Sequence, residues 1–378
     1  MTHSRRRRGD TPPPSSPLPP LYAAWMAEAL GGLPPDEQTA TCQTCVMLPP
    51  ASGDGTGSTT ASSLFFDPRT KCCTYIPELP NFVVGRVLLD ETPEAAHGRA
   101  TVVARVAAGS QVTPLGIDKP PTFAILYGNN GPELFGRAVD LRCPHYLADS
   151  GGCGIWRHRM STCGTWFCKH DRGDAGRRVW HSIRQLLRGV ERAVAVHCVR
   201  TLAPGSRALL RAQEDASTQE TRVRSSDLGA PLDGPVQRAL WGRWAGRELE
   251  FYDACGRMAG ELTWDDIAAI GGVELALAVD VARDALDAMT STALPKSVRL
   301  GSLTVASADA NDVACTTYSP FDPLSIPRPL FDLLHLFDGR PTPKALAAIK
   351  AAGLDVDRRV VRRLLDHGVL VGATQVDA

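Results

Sequence analysis

Eight of the eleven cysteines in this 378-residue chain fall between residues 42 and 168. They form a C-x-x-C turn at Cys42 and Cys45, the vicinal pair Cys72 and Cys73, and a later group of Cys143, Cys153, Cys163 and Cys168. A C-x-x-C turn brings two thiolates within reach of one metal ion, because the intervening residues reverse the chain and aim backbone N–H groups at the sulfurs. Six further cysteines follow in loops rich in Gly and Pro, with His145, His158 and His170 among them. So dense a set of soft donors points to a metal or iron–sulfur centre with Cys42, Cys45, Cys72, Cys73, Cys143, Cys153, Cys163 and Cys168 as metal ligands.

Ligand type does not separate zinc from iron–sulfur, since thiolates suit both. The aromatic residues Tyr75, Tyr146, Trp156, Trp166 and Phe167 would shield a cluster from water, which favours Fe–S, with a four-iron (4Fe-4S) cluster ahead of Zn. His145 and His170 each lie two residues after a cysteine and are placed to ligate or to hydrogen-bond a cluster sulfur; His158, between two arginines, is expected to be solvated. Cys198, Cys255 and Cys315 sit within apolar patterns and read as small core residues. If Lys71 to Tyr75 is extended, Cys72 and Cys73 point to opposite faces and serve different sites. The competing dithiol redox chemistry of "CQTC" needs a helix N-terminus after a strand, whereas this turn runs into prolines.

The order CxxC, CC, then "CPHYLADSGGCGIWRHRMSTC" resembles the YkgJ-type cysteine-cluster family of putative zinc- or iron-chelating proteins, over roughly residues 40–170. Cys42, Cys45, Cys72, Cys73, Cys143, Cys153 and Cys163 take that family's cysteine positions, and Ile155, Trp156 and Arg159 match its Ile-Tyr and Arg. The gap between Cys45 and Cys72 is much longer than in the family, Met160 stands where it has Pro, and Cys168 is extra. The resemblance implies a metal or Fe–S centre. Flagellin lysine N-methylases share such a cluster, which brings a protein-modifying enzyme into view.

The elements that must hold these residues suggest an α+β chain in several parts. Residues 1–20, with "RRRR" followed by Pro and Ser, lack the apolar core of an export signal and read as a disordered tail. A cysteine-cluster metal-binding domain, irregular and with short strands, is expected over 21–175. It opens with the helix "LYAAWMAEALGGL" and has little helix between 82 and 150. A helical region follows over 176–295, with a polar linker near 211–234. Its long helix keeps Val179, Ile183, Leu186, Leu187, Val190, Ala193, Val194 and Cys198 on one face.

The segment 296–378 reads as a winged-helix-like module: "RPLFDLLHLFDG", "TPKALAAIKAAG" and "DVDRRVVRRLLDHG" as three helices, then "VLVGA" as a strand. It resembles the PqqD-like peptide-recognition modules, in which an FDG-x-x-T phrase precedes two helices. In the third helix Val360, Val361, Leu364 and Leu365 form the inward stripe, leaving Arg358, Arg359, Arg362 and Arg363 outside.

Lys plus Arg equals Asp plus Glu at 41 each, so no global field favours nucleic acid or an anionic membrane. No stretch approaches the roughly 20 apolar residues of a membrane span. A cytoplasmic chain is expected, with thiols rather than structural disulfides. No P-loop, dinucleotide fingerprint or nucleophile elbow is present. Three functions remain: a metal-centre protein that modifies or docks a peptide or protein substrate through its C-terminal module, a non-catalytic zinc- or iron-binding protein, and a metal-sensing DNA-binding regulator. Zero net charge and the lack of a second basic helix weigh against nucleic acid as partner.

Overall fold

The computed structural model describes residues 16–37, 45–48, 65–203 and 234–373. Cys42, the first fifteen residues of the expected tail and almost all of the expected linker near 211–234 lie outside the described residues. The fold is α+β: helices with small antiparallel sheets. Among the described residues no helix is long and apolar enough to cross a membrane.

Helix α1 (Pro20–Leu30) ends at Gly31, whose φ of 72° places it in the left-handed region that a C-terminal glycine adopts without strain. Helices α2 (Asn81–Leu89), α3 (Ala96–Ala108) and α4 (Pro121–Leu134) fill the stretch where little helix was expected. The strands there are only two-residue ladders, β1 (Leu79–Pro80), β2 (Val112–Thr113) and β3 (Gly116–Ile117), in the order β1-β3-β2. The valines that suggested strands instead form helix faces: Val83, Val84 and Val87 are buried on α2 and Val102 on α3. Tertiary burial outweighs their weak preference for extended backbone.

Helix α6 (Gly173–Leu202) follows the predicted face closely: Val179, Ile183, Leu186, Leu187, Val190, Val194 and Cys198 are each at most 0% exposed. Helices α4 and α6 are separated by the hairpin β4 (Tyr146–Leu147) and β5 (Gly152–Cys153) and by helix α5 (Ser161–Thr165). After α7 (Gly234–Trp241) and α8 (Glu248–Glu261) comes α9 (Trp264–Thr290). The last of these begins inside "ELTWDDIAAIGG". Thr263 and Asp266 close a capping box at its start, and Gly272, at φ 60° and ψ −147°, breaks it internally.

One apolar core joins α1, α2, α6, α8 and α9, with Tyr22, Trp25, Phe82, Trp180, Phe251 and Tyr252 among its large side chains. It draws on both sides of residue 175, where a domain boundary was expected. Cys198 and Cys255 are fully buried in it, as read from the sequence.

A second core lies within residues 298–370, around Val298, Val313, Ile326, Phe337, Ile349 and Val361. Strands β6 (Ser297–Leu300), β7 (Thr304–Ala308), β8 (Asp312–Thr316) and β9 (Leu324–Pro327) precede the short helix α10 (Arg328–Phe331). Then follow β10 (Asp338–Pro341), α11 (Thr342–Ala351), α12 (Arg358–Asp366) and β11 (Leu370–Gly372). The sheets are β10-β6-β11 and β7-β8-β9, and Cys315 is buried between strands of the second.

Three local readings are corrected here. "RPLFDLLHLFDG" is not one helix, because the α-helix ends at Phe331 and the chain enters β10 through the 3-10 turn Leu334–Leu336. On α12, Val361 and Leu364 are buried but Val360 is 37% exposed, so the inward stripe is narrower than expected. Arg362 is not an outward residue: it pairs with Asp366 and donates to the carbonyls of Ala288 and Met289 at the end of α9.

The tightest helix crossing is set by glycine. A methyl group on Gly85 of α2 would lie 1.9 Å from the Tyr252 carbonyl oxygen and 2.6 Å from the Gly256 nitrogen of α8, both backbone atoms. Gly85→Ala should therefore push α2 and α8 apart and destabilise the fold by roughly 2 to 3 kcal/mol. A urea-unfolding midpoint unchanged from wild type would refute this close packing.

Candidate metal centre

Lys71 to Tyr75 is not extended. Residues 67–73 form a tight turn in which Lys71 N donates to Asp67 O at 2.8 Å and Cys73 N to Thr70 O at 2.9 Å, and Lys71 has φ 49°. The premise that sent Cys72 and Cys73 to opposite faces is therefore lost, because side chains alternate only along a strand. Both line the same two cavities.

Hydrogen bonds tie this turn to the later cysteine segments. Asp67 N donates to Gly136 O at 2.8 Å and Gly136 N to Thr74 Oγ1 at 2.8 Å. Cys143 N donates to Cys73 O at 2.7 Å, and the buried Lys71 reaches Gly151 O with its Nζ at 2.8 Å. In the hairpin β4–β5, Cys153 stands opposite Tyr146, whose N donates to Cys143 O at 3.1 Å. Cys73 is thus stitched by backbone to Cys143, whose segment pairs through Tyr146 with Cys153.

Cys163 is carried by α5, which the long helix α6 holds in place. Glu191 of α6 is buried and accepts from Tyr22 Oη, Ser161 N and Ser161 Oγ, each at 2.6 Å. Burial raises the Glu191 carboxyl above its ordinary value, and the bonds from Ser161 and Tyr22 act in the opposite direction. Arg159, the residue matching the resembled family's Arg, lies over the Trp156 ring at 3.4 Å and donates to the carbonyls of Trp156, Cys163 and Pro17. It braces the Cys163 segment by packing and hydrogen bonds together.

The result is a cavity of about 790 Å³ whose lining includes Cys72, Cys73, Cys143, Cys153 and Cys163. Beside it lies a pocket of about 50 Å³ with Cys45, Cys72, Cys73, Cys153 and Cys168 in its wall. Cys72, Cys73 and Cys153 belong to both. All seven candidate cysteines that fall among the described residues therefore face one connected region; Cys42 lies outside the described residues. Even so, among the described residues no three of His, Cys, Asp and Glu stand together as a ready set for one metal ion. The thiols surround a space rather than converge on a point.

Aromatic side chains form much of the larger wall. Tyr75, Trp156, Trp166 and Phe167 were anticipated, whereas Tyr127, Phe135 and Phe321 were not. Phe321 comes from the loop between β8 and β9, and its ring lies 5.6 Å from Phe66 and 6.5 Å from Phe135. The C-terminal part of the chain thus closes one side of the cysteine cavity. Nothing local in "YSPFDPL" signals this, since the contact exists only after folding.

Burial pushes the Cys143 thiol up to about 12, with Cys163 and Cys153 raising it further, while the His145 N–H and Arg105 act in the opposite direction. Cys143 is therefore protonated at neutral pH, and a metal binding there must displace that proton. Of the three histidines, His158 departs from the sequence reading. His145 is fully buried; its Nδ1 lies 2.7 Å from Thr101 Oγ1 and its Nε2 3.5 Å from Arg105, and burial lowers it to about 3. His158 is not solvated, since its Nε2 lies 2.8 Å from the buried Asp90 carboxylate. His170 is buried with an Nδ1 that has no hydrogen-bond partner among the described residues, and its backbone N donates to Asp322 at 3.1 Å.

Glu37 carries no motif, yet it also lines the larger cavity. Its carboxylate accepts from Trp180 Nε1 at 2.9 Å and Asp171 N at 2.8 Å. Burial raises it from 4.5 to about 7; the bonds from Asp171 and Trp180 lower it, and the charges of Asp171 and Asp322 add to the rise.

Compared with protein-family models, with curated proteins and with solved structures, the chain has no match.

A carboxyl raised on folding binds its proton more tightly in the folded state, so its favourable share of stability is complete below about pH 4.5 and is lost as pH rises to about 7. The loss amounts to about 3 kcal/mol. Wild-type unfolding free energy should fall across that window, and Glu37→Gln, less stable at pH 5 because its amide opposes one of the two N–H donors, should have a flatter profile. Parallel profiles for the two proteins would refute the assignment. Glu191→Ala should cost about 3 kcal/mol by leaving the three buried donors unsatisfied, more than Glu191→Gln does. Equal losses in the two variants, measured by denaturant unfolding, would contradict it.

Proposed function

We propose that this chain is a metal-binding protein whose cysteine-lined cavities hold an iron–sulfur cluster, and that the C-terminal unit is a winged-helix-like module that presents a peptide or protein substrate to it. The observation that carries the reading is the gathering of Cys45, Cys72, Cys73, Cys143, Cys153, Cys163 and Cys168, separated in sequence, around two adjoining cavities. Cys198, Cys255 and Cys315, by contrast, are fully buried as small apolar residues of the two cores, with Cys198 in contact with Cys255. Seven half-buried thiols along two adjoining cavity walls form a different pattern, one suited to ligation.

The donor set fits the group in kind. Thiolates are soft ligands suited to iron–sulfur clusters and to zinc, and the aromatic wall would limit water around a cluster, which favours iron. When bound, such a cluster would supply electron transfer or Lewis acidity. The chain's own residues do the rest: the turn at 67–73 fixes the vicinal pair, Glu191 and Arg159 fix Cys163, and Arg105 offers a positive charge near Cys143. The larger cavity exceeds what the thiols alone require, and Phe321 from the C-terminal unit reaches its wall. Both features favour a bound organic group beside the metal over simple storage. The resemblance of residues 40–170 to the YkgJ-type proteins supports the same reading.

Anaerobic purification should yield iron with acid-labile sulfide. Cys153→Ser, at a position shared by both cavities, should lose at least four-fifths of it, and Cys72→Ser and Cys73→Ser should each lose a comparable share because one turn carries both. Cys315→Ser, outside the cavities, should keep wild-type content. Folded wild-type protein without metal, or undiminished metal in Cys153→Ser, would overturn the proposal.

A further inference from the structure

Away from the cysteines, a cleft of about 740 Å³ opens where α12 meets the start of α6 and the end of α9. Arg172, Arg358, Arg359, Arg362 and Arg363 all line it, against the carboxylates of Asp171 and Asp366. In a chain whose charges otherwise balance, five guanidiniums in one concavity are a local excess.

The arginines divide into two groups. Arg172 and Arg362 both hold the buried Asp366, at 2.8 Å each, and donate to the carbonyls that end α9, so they build the cleft. Arg359 is held by Asp357, the N-cap of α12, at 2.9 Å. Arg358 and Arg363 make neither an ion pair nor a side-chain hydrogen bond among the described residues, and both are exposed. Structural pairing accounts for the other three; it leaves these two forks unused. His367 also lines the cleft and is 9% exposed, its ring packed against Gly173. Ser291 and Thr292 add hydroxyl groups on the facing wall.

We propose that this cleft is an anion site for a diphosphate group, bound by the Arg358 and Arg363 forks, with Arg359, Arg362 and Arg172 supplying the surrounding positive field. Guanidinium forks match phosphate oxygens two at a time, and two unpaired forks in one cleft suit two linked phosphates. A duplex nucleic acid is disfavoured by shape. A helix that reads a major groove must project into it, whereas the basic face of α12 forms one wall of a recess bounded by Asp171, Arg172 and residues 290–292. The site stands apart from the cysteine cavities and does not depend on metal being bound there.

The test is calorimetric titration of the full-length protein with pyrophosphate at low ionic strength. Saturable one-to-one binding is expected, weakened at least tenfold in Arg358→Glu/Arg363→Glu. In Arg238→Glu/Arg257→Glu, which removes the same charge elsewhere, it should change less than twofold. Circular dichroism confirms that each variant is folded. A parallel titration with ADP separates sources: tighter binding than pyrophosphate assigns the diphosphate to a nucleotide, and equal or weaker binding to free polyphosphate. Absence of saturable binding, or equal losses in both double variants, would overturn the proposal. So would tighter binding of a 20-base-pair duplex than of pyrophosphate.

Discussion

Helix α6 must bury one long apolar face and, on that same face, a carboxylate, and most of the structure follows from this requirement. Val179, Ile183, Leu186, Val190 and Val194 demand cover from α1, α2, α8 and α9. Glu191 among them cannot be left without donors in a low-dielectric core, and it finds them in Tyr22 and Ser161. The apolar requirement assembles the helices; the polar one fixes where α1 and the cysteine-bearing α5 sit on them. Trp180, one residue from Val179, extends the same scheme by donating to Glu37 at the cavity edge. Side chains of a single helix thus locate Cys163, the N-terminal segment and part of the cavity wall.

The cysteine region itself is held mainly by backbone. Its ladders are two residues long, too short to be stable alone, so the loops borrow rigidity from hydrogen bonds between distant segments. The bond from Cys143 N to Cys73 O and that from Lys71 Nζ to Gly151 O are the clearest cases. The loops hold half-buried thiols around a space, while the fully buried face of α6 supports them. Phe321 adds a wall from the C-terminal unit, so the cavity is complete only when both apolar cores are formed.

Sequence periodicity revealed α6 almost residue by residue, because a single amphipathic face of 3.6-residue period is what burial on one side requires. It also gave α1 with its glycine stop, the helices at 342–351 and 358–366, and the three core cysteines. The failures have one cause. Val83, Val84, Val87 and Val102 favour strands by themselves, and only the cover provided by distant helices makes them helical. Cys72 and Cys73 were assumed extended because a turn with a positive-φ lysine leaves no mark in the sequence. Spacing identified the site's cysteines, but Glu37, Tyr127, Phe135 and Phe321 reach it through folding alone.

The central claim is that these thiols hold a metal. X-ray absorption at the metal edge of the full-length protein, purified without oxygen, tests it most directly. The account predicts a first shell made of sulfur, with a metal–metal vector beyond it for an iron–sulfur cluster, or with distances of about 2.3 Å if the metal is zinc. A first shell of nitrogen and oxygen at about 2.0 to 2.2 Å would contradict it.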